Sequence, residues 1–128
     1  MTSGPVKILI IDDDFDLPFL LENALRRRGD FEVIKATRGD VGYMKFAASK
    51  PDVVLTDYYM PGLSGGELVA KITASEHKVP VIVMSGDAKL TTEKHLDNVF
   101  RVLHKPFLVA DLVKVILEAV NPEAPASP

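Results

Sequence analysis

Five polar side chains stand where apolar segments of the chain stop, and their types suit phosphoryl chemistry. They are two adjacent carboxylates after the first segment, a carboxylate and a hydroxyl after later segments, and an ammonium near the end: Asp12, Asp13, Asp57, Ser85 and Lys105. In an open parallel α/β sheet the carboxyl ends of the strands meet at one edge, where ligands bind. If these segments are neighbouring strands, all five side chains converge on a single crevice.

A divalent cation is the natural partner of such a group. Three clustered carboxylates repel one another in a partly desolvated site, so they favour a cation that prefers oxygen ligands, and Mg²⁺ is the abundant candidate. A phosphoryl group could then lie between the metal, the lysine and the hydroxyl, which would neutralise its oxygens in the transition state. In this interpretation the carboxylate of Asp57 is the nucleophile.

The elements that must position these residues are predicted to alternate along the chain. Apolar runs of strand length alternate with stretches of helical periodicity, which is typical of a parallel sheet covered by helices on both faces. The predicted strands are 7–11, 32–36, 53–56, 79–84 and 99–103. The predicted helices are 16–28, 40–49, 67–75, 90–98 and 108–120. The pattern therefore predicts the α/β class, with a doubly wound, five-stranded parallel sheet.

Individual residues refine these boundaries. Asp16 is predicted to be the N-cap of the first helix, and Asp14 to help start that helix. Leu20 is placed in the apolar stripe of the first helix, and Leu108 in that of the last helix. Several glycines and a proline within 58–66 predict a loop after the third strand.

Length and composition describe one globular domain. The chain has 128 residues, of which 47% are hydrophobic and 26% charged, close to the average for soluble proteins. The net charge is −3 and the only dense basic run is 26–28, so a nucleic-acid surface has little electrostatic support. The absence of cysteine excludes disulfides and thiolate metal sites.

No membrane segment is expected. Residues 1–5 lack the apolar stretch of a signal peptide. No apolar run approaches the ~20 residues that cross a bilayer. A cytoplasmic location fits this composition.

Four motifs, in order, carry a resemblance to a known family. ILIIDDD, VVLTDYYMPGLSG, VIVMSG and LHKPF resemble the response-regulator receiver domain of two-component signalling. The resemblance covers about residues 6–120, so we expect a receiver domain over 1–120 and a Pro/Ala-rich tail or linker start over 121–128. It implies a flavodoxin-like fold of five βα units. The tail is compatible with a free-standing domain and with a piece of a longer regulator or hybrid kinase.

The resemblance also implies a metal site. Asp13 and Asp57 would bind Mg²⁺ directly, and Asp12 would bind it through water. The main-chain carbonyl of Tyr59 would be the remaining protein ligand. Asp14 matches no ligand of the family.

The chemistry implied is transfer of a phosphoryl group from the phosphohistidine of a sensor histidine kinase, or of a phosphotransfer protein, to Asp57. Ser85 would bind a phosphoryl oxygen and Lys105 would pair with the phosphoryl group, next to a Lys105–Pro106 bond that is usually cis in the family. Such a domain is not an enzyme with a separate substrate, because it catalyses only its own phosphotransfer and slow autodephosphorylation. The expected partners exclude nucleic acid and membrane, while a homodimer through the last helices is a possible assembly.

One position departs from the family pattern. Three residues before the lysine, where the family often has an aromatic side chain that moves inward on phosphorylation, this chain has Val102. A β-branched side chain has few rotamers and no ring to fill a vacated cavity. We therefore expect weak coupling between the phosphorylation site and the surface around Val102.

Two other functions remain open at this point. The run 12–14 after an apolar strand also satisfies the Asp-x-Asp motif of haloacid dehalogenase-type phosphohydrolases, but the acidic pair expected after the lysine is missing and the chain has little room for a cap. The second alternative is a receiver-like binding module that never takes phosphate. The complete acidic set with Ser85 and Lys105 argues against that loss of chemistry.

Overall fold

Strands and helices alternate through the residues that the computed structural model describes, which are 4–86 and 98–121. The strands are β1 (Val6–Ile11), β2 (Phe31–Ala36), β3 (Val53–Asp57), β4 (Val81–Ser85) and β5 (Arg101–His104). The helices are α1 (Asp16–Arg28), α2 (Gly39–Ser49), α3 (Gly65–Ala74) and α4 (Val109–Val120). The helix predicted at 90–98 falls almost wholly outside the described residues. None of the described helices has the length and apolar character needed to cross a membrane.

The five strands form one parallel sheet in the order β2-β1-β3-β4-β5, which confirms the predicted doubly wound fold of the flavodoxin-like kind. The order reverses direction between β1 and β3, which are hydrogen-bonded neighbours with Ile11 opposite Thr56. On the other side of β3, Asp57 lies opposite Met84. The carboxyl ends of β1, β3, β4 and β5 therefore lie side by side at one edge of the sheet.

Two apolar clusters cover the two faces of this sheet. Successive side chains of a strand point to opposite faces, so Ile8 and Ile10 of β1 belong to one cluster and Leu9 and Ile11 to the other. The first cluster includes residues of α1 and α4, and the second includes residues of α2 and α3. Both faces are thus buried by helices, which explains why the central strands are almost entirely aliphatic.

The first helix corrects two local predictions. Asp14 helps to start it as expected, because its Oδ1 accepts a hydrogen bond of 3.0 Å from the amide of Asp16. Asp16 itself is the first helical residue and Phe15 occupies the N-cap position, so the prediction of Asp16 as the cap was wrong. Leu20 is 61% exposed, because helical geometry directs Leu21 and Leu25 toward the sheet and Leu20 away from it.

The last helix begins one residue later than predicted. Leu108 occupies the N-cap position of α4 and is 69% exposed, so it does not belong to the buried stripe. The stripe starts at Leu112 and continues through Val115, Ile116 and Ala119.

The start of α3 lies inside the segment predicted as a loop. Ser64 is the N-cap, and its Oγ accepts a hydrogen bond of 3.2 Å from the amide of Glu67. The Glu67 carboxylate in turn accepts one of 3.1 Å from the amide of Ser64, which completes a capping box. The hydrogen bond from the Ser64 backbone holds the pKa of the Glu67 carboxyl below its usual value. Two amides that would otherwise lack partners are satisfied, so the helix starts at Gly65 despite its two glycines.

This capping box gives a stability prediction. Replacing Ser64 by Ala should lower the free energy of unfolding by about 1 kcal/mol, because the Glu67 amide loses its acceptor. A matched serine is Ser49 near the end of α2, whose hydroxyl donates to the Lys45 carbonyl within the same helix. Ser49→Ala should change the free energy of unfolding by less than about 0.5 kcal/mol. Urea unfolding followed by circular dichroism measures both, and equal losses would contradict the assignment of the cap.

Candidate functional site

Four strand ends bring the predicted site residues together. Asp12 directly follows β1 and is fully buried, while Asp57 is the last residue of β3 and its side chain is 15% exposed. Lys105 follows β5, and its Nζ lies 3.0 Å from Asp12 Oδ2 and 3.4 Å from Asp57 Oδ2. Ser85, the last residue of β4, is also buried. The sheet topology alone produces this meeting, because the four strands are neighbours and parallel.

Asp12, Asp13 and Asp57 form a cluster of carboxylates. Each offers one oxygen, and the three oxygens lie within 4.8 Å of one another. The cluster is graded in exposure, since Asp12 is buried, Asp57 is partly exposed and Asp13 faces solvent. Among the described residues, the three ionised carboxylates and the ammonium of Lys105 leave an excess of negative charge. A donor set of oxygens alone with excess negative charge fits a hard divalent cation such as Mg²⁺.

Backbone amides orient the two inner carboxylates. Asp12 Oδ1 accepts a hydrogen bond of 2.9 Å from the amide of Asp14, and Asp57 Oδ1 accepts one of 2.9 Å from the amide of Tyr58. The second oxygen of each carboxylate, Oδ2, faces the ammonium of Lys105. Each carboxylate is therefore held by the chain on one side and by a shared cation on the other.

The electrostatics of the site favour an added positive charge. Burial raises the pKa of the Asp57 carboxyl above its usual value and the charge of Asp12 raises it further, while Lys105 and the Tyr58 amide offset this only in part. Burial alone would lower the pKa of Lys105, but its hydrogen bond and charge interaction with Asp12, and then those with Asp57, raise it above the ordinary value. A bound cation would favour the ionised form of Asp57 that a nucleophile requires.

The position of Lys105 depends on β4. The amide of Lys105 donates to the carbonyl of Ser85 at 2.8 Å, so the lysine leaves β5 beside the end of the neighbouring strand. The Lys105–Pro106 bond is cis, as the resemblance implied. Ser85 and Lys105 are thus held as a pair at the same edge as the carboxylates.

The chain after Asp57 is anchored at its start. The amide of Tyr58 lies 3.1 Å from the carbonyl of Met84, and the carbonyl of Tyr58 accepts a hydrogen bond of 2.7 Å from Gly65. The rings of Tyr58 and Tyr59 meet edge to face at 4.8 Å, although the side chain of Tyr59 is largely exposed. The main-chain carbonyl of Tyr59, the fourth predicted metal ligand, therefore belongs to a loop that begins in a fixed position.

Sequence reasoning missed two residues that support this loop. Thr56 is fully buried, and its hydroxyl donates to the carbonyl of Asp57 at 2.9 Å. A threonine in an otherwise aliphatic buried strand was the available signal. Gly65 was taken for a turn residue, but a Cβ there would lie 2.7 Å from Cα of Tyr58, so a side chain would push α3 away from the backbone that follows Asp57.

Two curated relatives of this chain are transcriptional regulatory proteins. The transcriptional regulatory protein PrrA of Mycobacterium tuberculosis is 35% identical over 112 residues, which are 84% of this chain and 46% of PrrA. The alkaline phosphatase synthesis transcriptional regulatory protein PhoP of Bacillus subtilis is 29% identical over 126 residues, which are 94% of this chain and 52% of PhoP. The chain thus spans about half the length of the curated relatives it matches.

Solved structures share the architecture. A response regulator receiver domain protein from Clostridium thermocellum is similar with a TM-score of 0.83 at 30% identity, covering 92% of this chain and 96% of that one. The receiver domain of the sensor histidine kinase PA1611 from Pseudomonas aeruginosa, solved with a magnesium ion coordinated in its active site cleft, has a TM-score of 0.82. The latter is 24% identical, covers 93% of this chain and 99% of that one, and shows the fold alone.

The sequence profile of the response regulator receiver domain matches residues 8–117, which include every strand end described above. The order of the strands, the acidic cluster and the lysine beside it all occur within that match. By sequence and by architecture, the chain belongs to the receiver domain family of two-component response regulators.

Proposed function

We propose that Asp57 of this receiver domain accepts a phosphoryl group from the phosphohistidine of a sensor histidine kinase or a phosphotransfer protein, with Mg²⁺ as the required ion. The observation that carries the proposal is the meeting of three carboxylates within 4.8 Å, with the ammonium of Lys105 against two of them. Asp57 is the reactive member because it ends a buried strand yet keeps part of its side chain accessible.

Asp13, Asp57 and the carbonyl of Tyr59 would hold the ion, with Asp12 acting through water. When bound, Mg²⁺ supplies positive charge to the oxygens of the phosphoryl group. The placement of Asp13 supports a direct contact, since it is the exposed member of the cluster. Asp12 is buried and already shared between Lys105 and the Asp14 amide, which suits an indirect contact.

In the reaction, a carboxylate oxygen of Asp57 attacks the phosphorus, the P–N bond to the donor imidazole breaks, and the imidazole leaves with the electron pair of that bond. Lys105 and the hydroxyl of Ser85 would donate hydrogen bonds to the phosphoryl oxygens. Lys105 is within 3.4 Å of the carboxylate that reacts, so it needs little movement to contact the new group. The same residues would favour slow hydrolysis of the aspartyl-phosphate, which resets the domain.

The remaining features of the proposal concern assembly and location. A kinase or phosphotransfer protein as donor implies a cytoplasmic domain. A homodimer through the last helices is a possible readout, and Leu117, which is 48% exposed on α4, supplies apolar surface there. Output through a further domain would follow the pattern of the longer relatives. Membership of the receiver family removes the support for a phosphohydrolase of the haloacid dehalogenase type.

The first test concerns the nucleophile. Incubation with Mg²⁺ and acetyl phosphate should add one acid-stable, hydroxylamine-labile phosphate per chain, and Asp57→Asn should abolish the labelling because an amide cannot form the acyl phosphate. Asp111→Asn, at an exposed carboxylate in the first turn of α4, is the matched control and should label like wild type. Labelling that persists in Asp57→Asn would disprove the assignment, and an unlabelled wild type would favour the binding module.

The second test concerns the metal. Asp13→Ala should weaken Mg²⁺ binding by at least about tenfold, because a direct carboxylate ligand is lost. Asp14→Ala removes an equal charge from the adjacent residue and should leave the affinity close to wild type. Titration calorimetry measures both variants. If Asp13→Ala binds Mg²⁺ like wild type, Asp13 is not a ligand.

The third test concerns the coupling between the phosphorylation site and the surface around Val102. Val102 pairs with Val83 and packs in the cluster beneath α2 and α3. On addition of a beryllofluoride mimic, amide shifts should concentrate at 57–66 and 85–89, of which 87–89 lie outside the described residues. Val102 and α4 should shift less. Equally large shifts there would show that the switch does not need the aromatic ring.

A further inference from the structure

The loop that follows the reactive carboxylate lies against the first turn of α2, an element that contributes no site residue. The amide of Gly39, the first residue of α2, donates to the carbonyl of Pro61 at 3.2 Å. Gly39 is buried, and a Cβ built on it would lie only 1.9 Å from the carbonyl oxygen of Leu63 and 2.7 Å from the carbonyl carbon. Backbone atoms cannot rotate away as a side-chain end can, so any side chain at residue 39 must displace this part of the loop.

A second contact joins the same two segments. Gly62 has φ of +90°, in the left-handed region, and a Cβ there would lie 2.6 Å from Asp40 Oδ1 and 3.1 Å from Arg38 Nη2. Those two side chains form a pair in which Arg38 Nε and Nη2 donate to the two oxygens of Asp40 at 3.0 and 3.2 Å. The loop therefore contacts the start of α2 at both Gly39 and Gly62. At residue 39 the close backbone atoms disfavour any side chain, and at residue 62 the positive φ does.

The two ends of the loop are held by backbone contacts. Tyr58 is tied to β4 and α3 through its amide and carbonyl, and Gly65 packs on the backbone of Asp57 and Tyr58. Between Tyr58 and the contact at Pro61 lie only Tyr59 and Met60. We therefore expect a shift of Pro61 and Leu63 to move the carbonyl of Tyr59.

We infer that Gly39 is a positioning residue for the metal-binding loop: by leaving space for the carbonyl of Leu63 and donating to that of Pro61, it sets the position of the Tyr59 carbonyl. The inference rests on the proposed Mg²⁺ site. Helix α2 lies beside β1 and β2 and contributes no carboxylate to the cluster. The inference means that α2 nevertheless influences the affinity of the site for the metal. Gly62 contributes from the loop itself, through its left-handed backbone conformation.

The test compares three glycine-to-alanine variants of the whole chain by their Mg²⁺ affinity, measured by calorimetry without any phosphodonor. Gly39→Ala should weaken Mg²⁺ binding by about tenfold, the range seen when groups that orient metal ligands are removed. Labelling of Asp57 by acetyl phosphate should return close to the wild-type rate at saturating Mg²⁺, because Asp57 itself is not moved. Gly66→Ala is the control, because a Cβ at residue 66 would lie 3.4 Å from the nearest atom, Tyr58 Oη. This variant should bind Mg²⁺ like wild type.

Gly62→Ala keeps the inference testable if Gly39→Ala does not fold. Residue 62 is exposed in a loop, so its substitution should preserve the fold. Its φ of +90° disfavours a side chain, so Gly62→Ala should shift the loop and weaken Mg²⁺ binding. A folded Gly39→Ala chain that melts at a lower temperature but binds Mg²⁺ with wild-type affinity would overturn the inference, because Gly39 would then serve packing alone. Wild-type affinity in Gly62→Ala would overturn it if Gly39→Ala is unfolded. A wild-type chain that neither binds Mg²⁺ nor becomes labelled would instead overturn the proposed function, and this inference with it.

Discussion

The repulsion among carboxylates at the ends of β1 and β3 is the constraint on which the site depends. Asp12 is fully buried beside Asp57, and two negative charges in such surroundings are costly unless a cation accompanies them. Lys105 supplies part of that charge by lying within 3.4 Å of both carboxylates. The compensation is incomplete, and the remaining negative charge is what the proposed Mg²⁺ would balance.

The burial of the central strands makes this arrangement of carboxylates rigid. β1 and β3 have nearly no exposed side chains, with one apolar cluster on each face, so their carboxyl ends have little freedom to separate. Each inner carboxylate also receives an amide hydrogen bond from the residue or turn that follows it. Close-packed interiors resist small displacements, and here that resistance keeps charges of the same sign near each other. The close packing of the core thus holds the carboxylates together at the sheet edge, although their charges repel one another.

Sequence reasoning recovered the strand ends but not the contacts between loops. Asp12, Asp57, Ser85 and Lys105 could be placed because each follows an apolar run, and runs of that kind form neighbouring parallel strands. Leu20 and Leu108 were misplaced because hydropathy identifies an apolar residue without specifying its angle around the helix or the residue at which the helix starts. Gly39 gave no signal at all, because its role depends on a carbonyl that is 24 residues away in the chain and 1.9 Å from the missing Cβ. Periodicity reports local burial, whereas such approaches depend on how the whole chain folds back.

The pair of Lys105 and Asp12 joins residues that are 93 positions apart in the chain. During synthesis the first carboxylates emerge long before the lysine, and loop closure over such a distance must await the docking of β5. An incomplete chain therefore contains the acidic residues but lacks the ammonium that lies against two of them. The pairing of charges at this edge of the sheet is complete only when the last strand has docked.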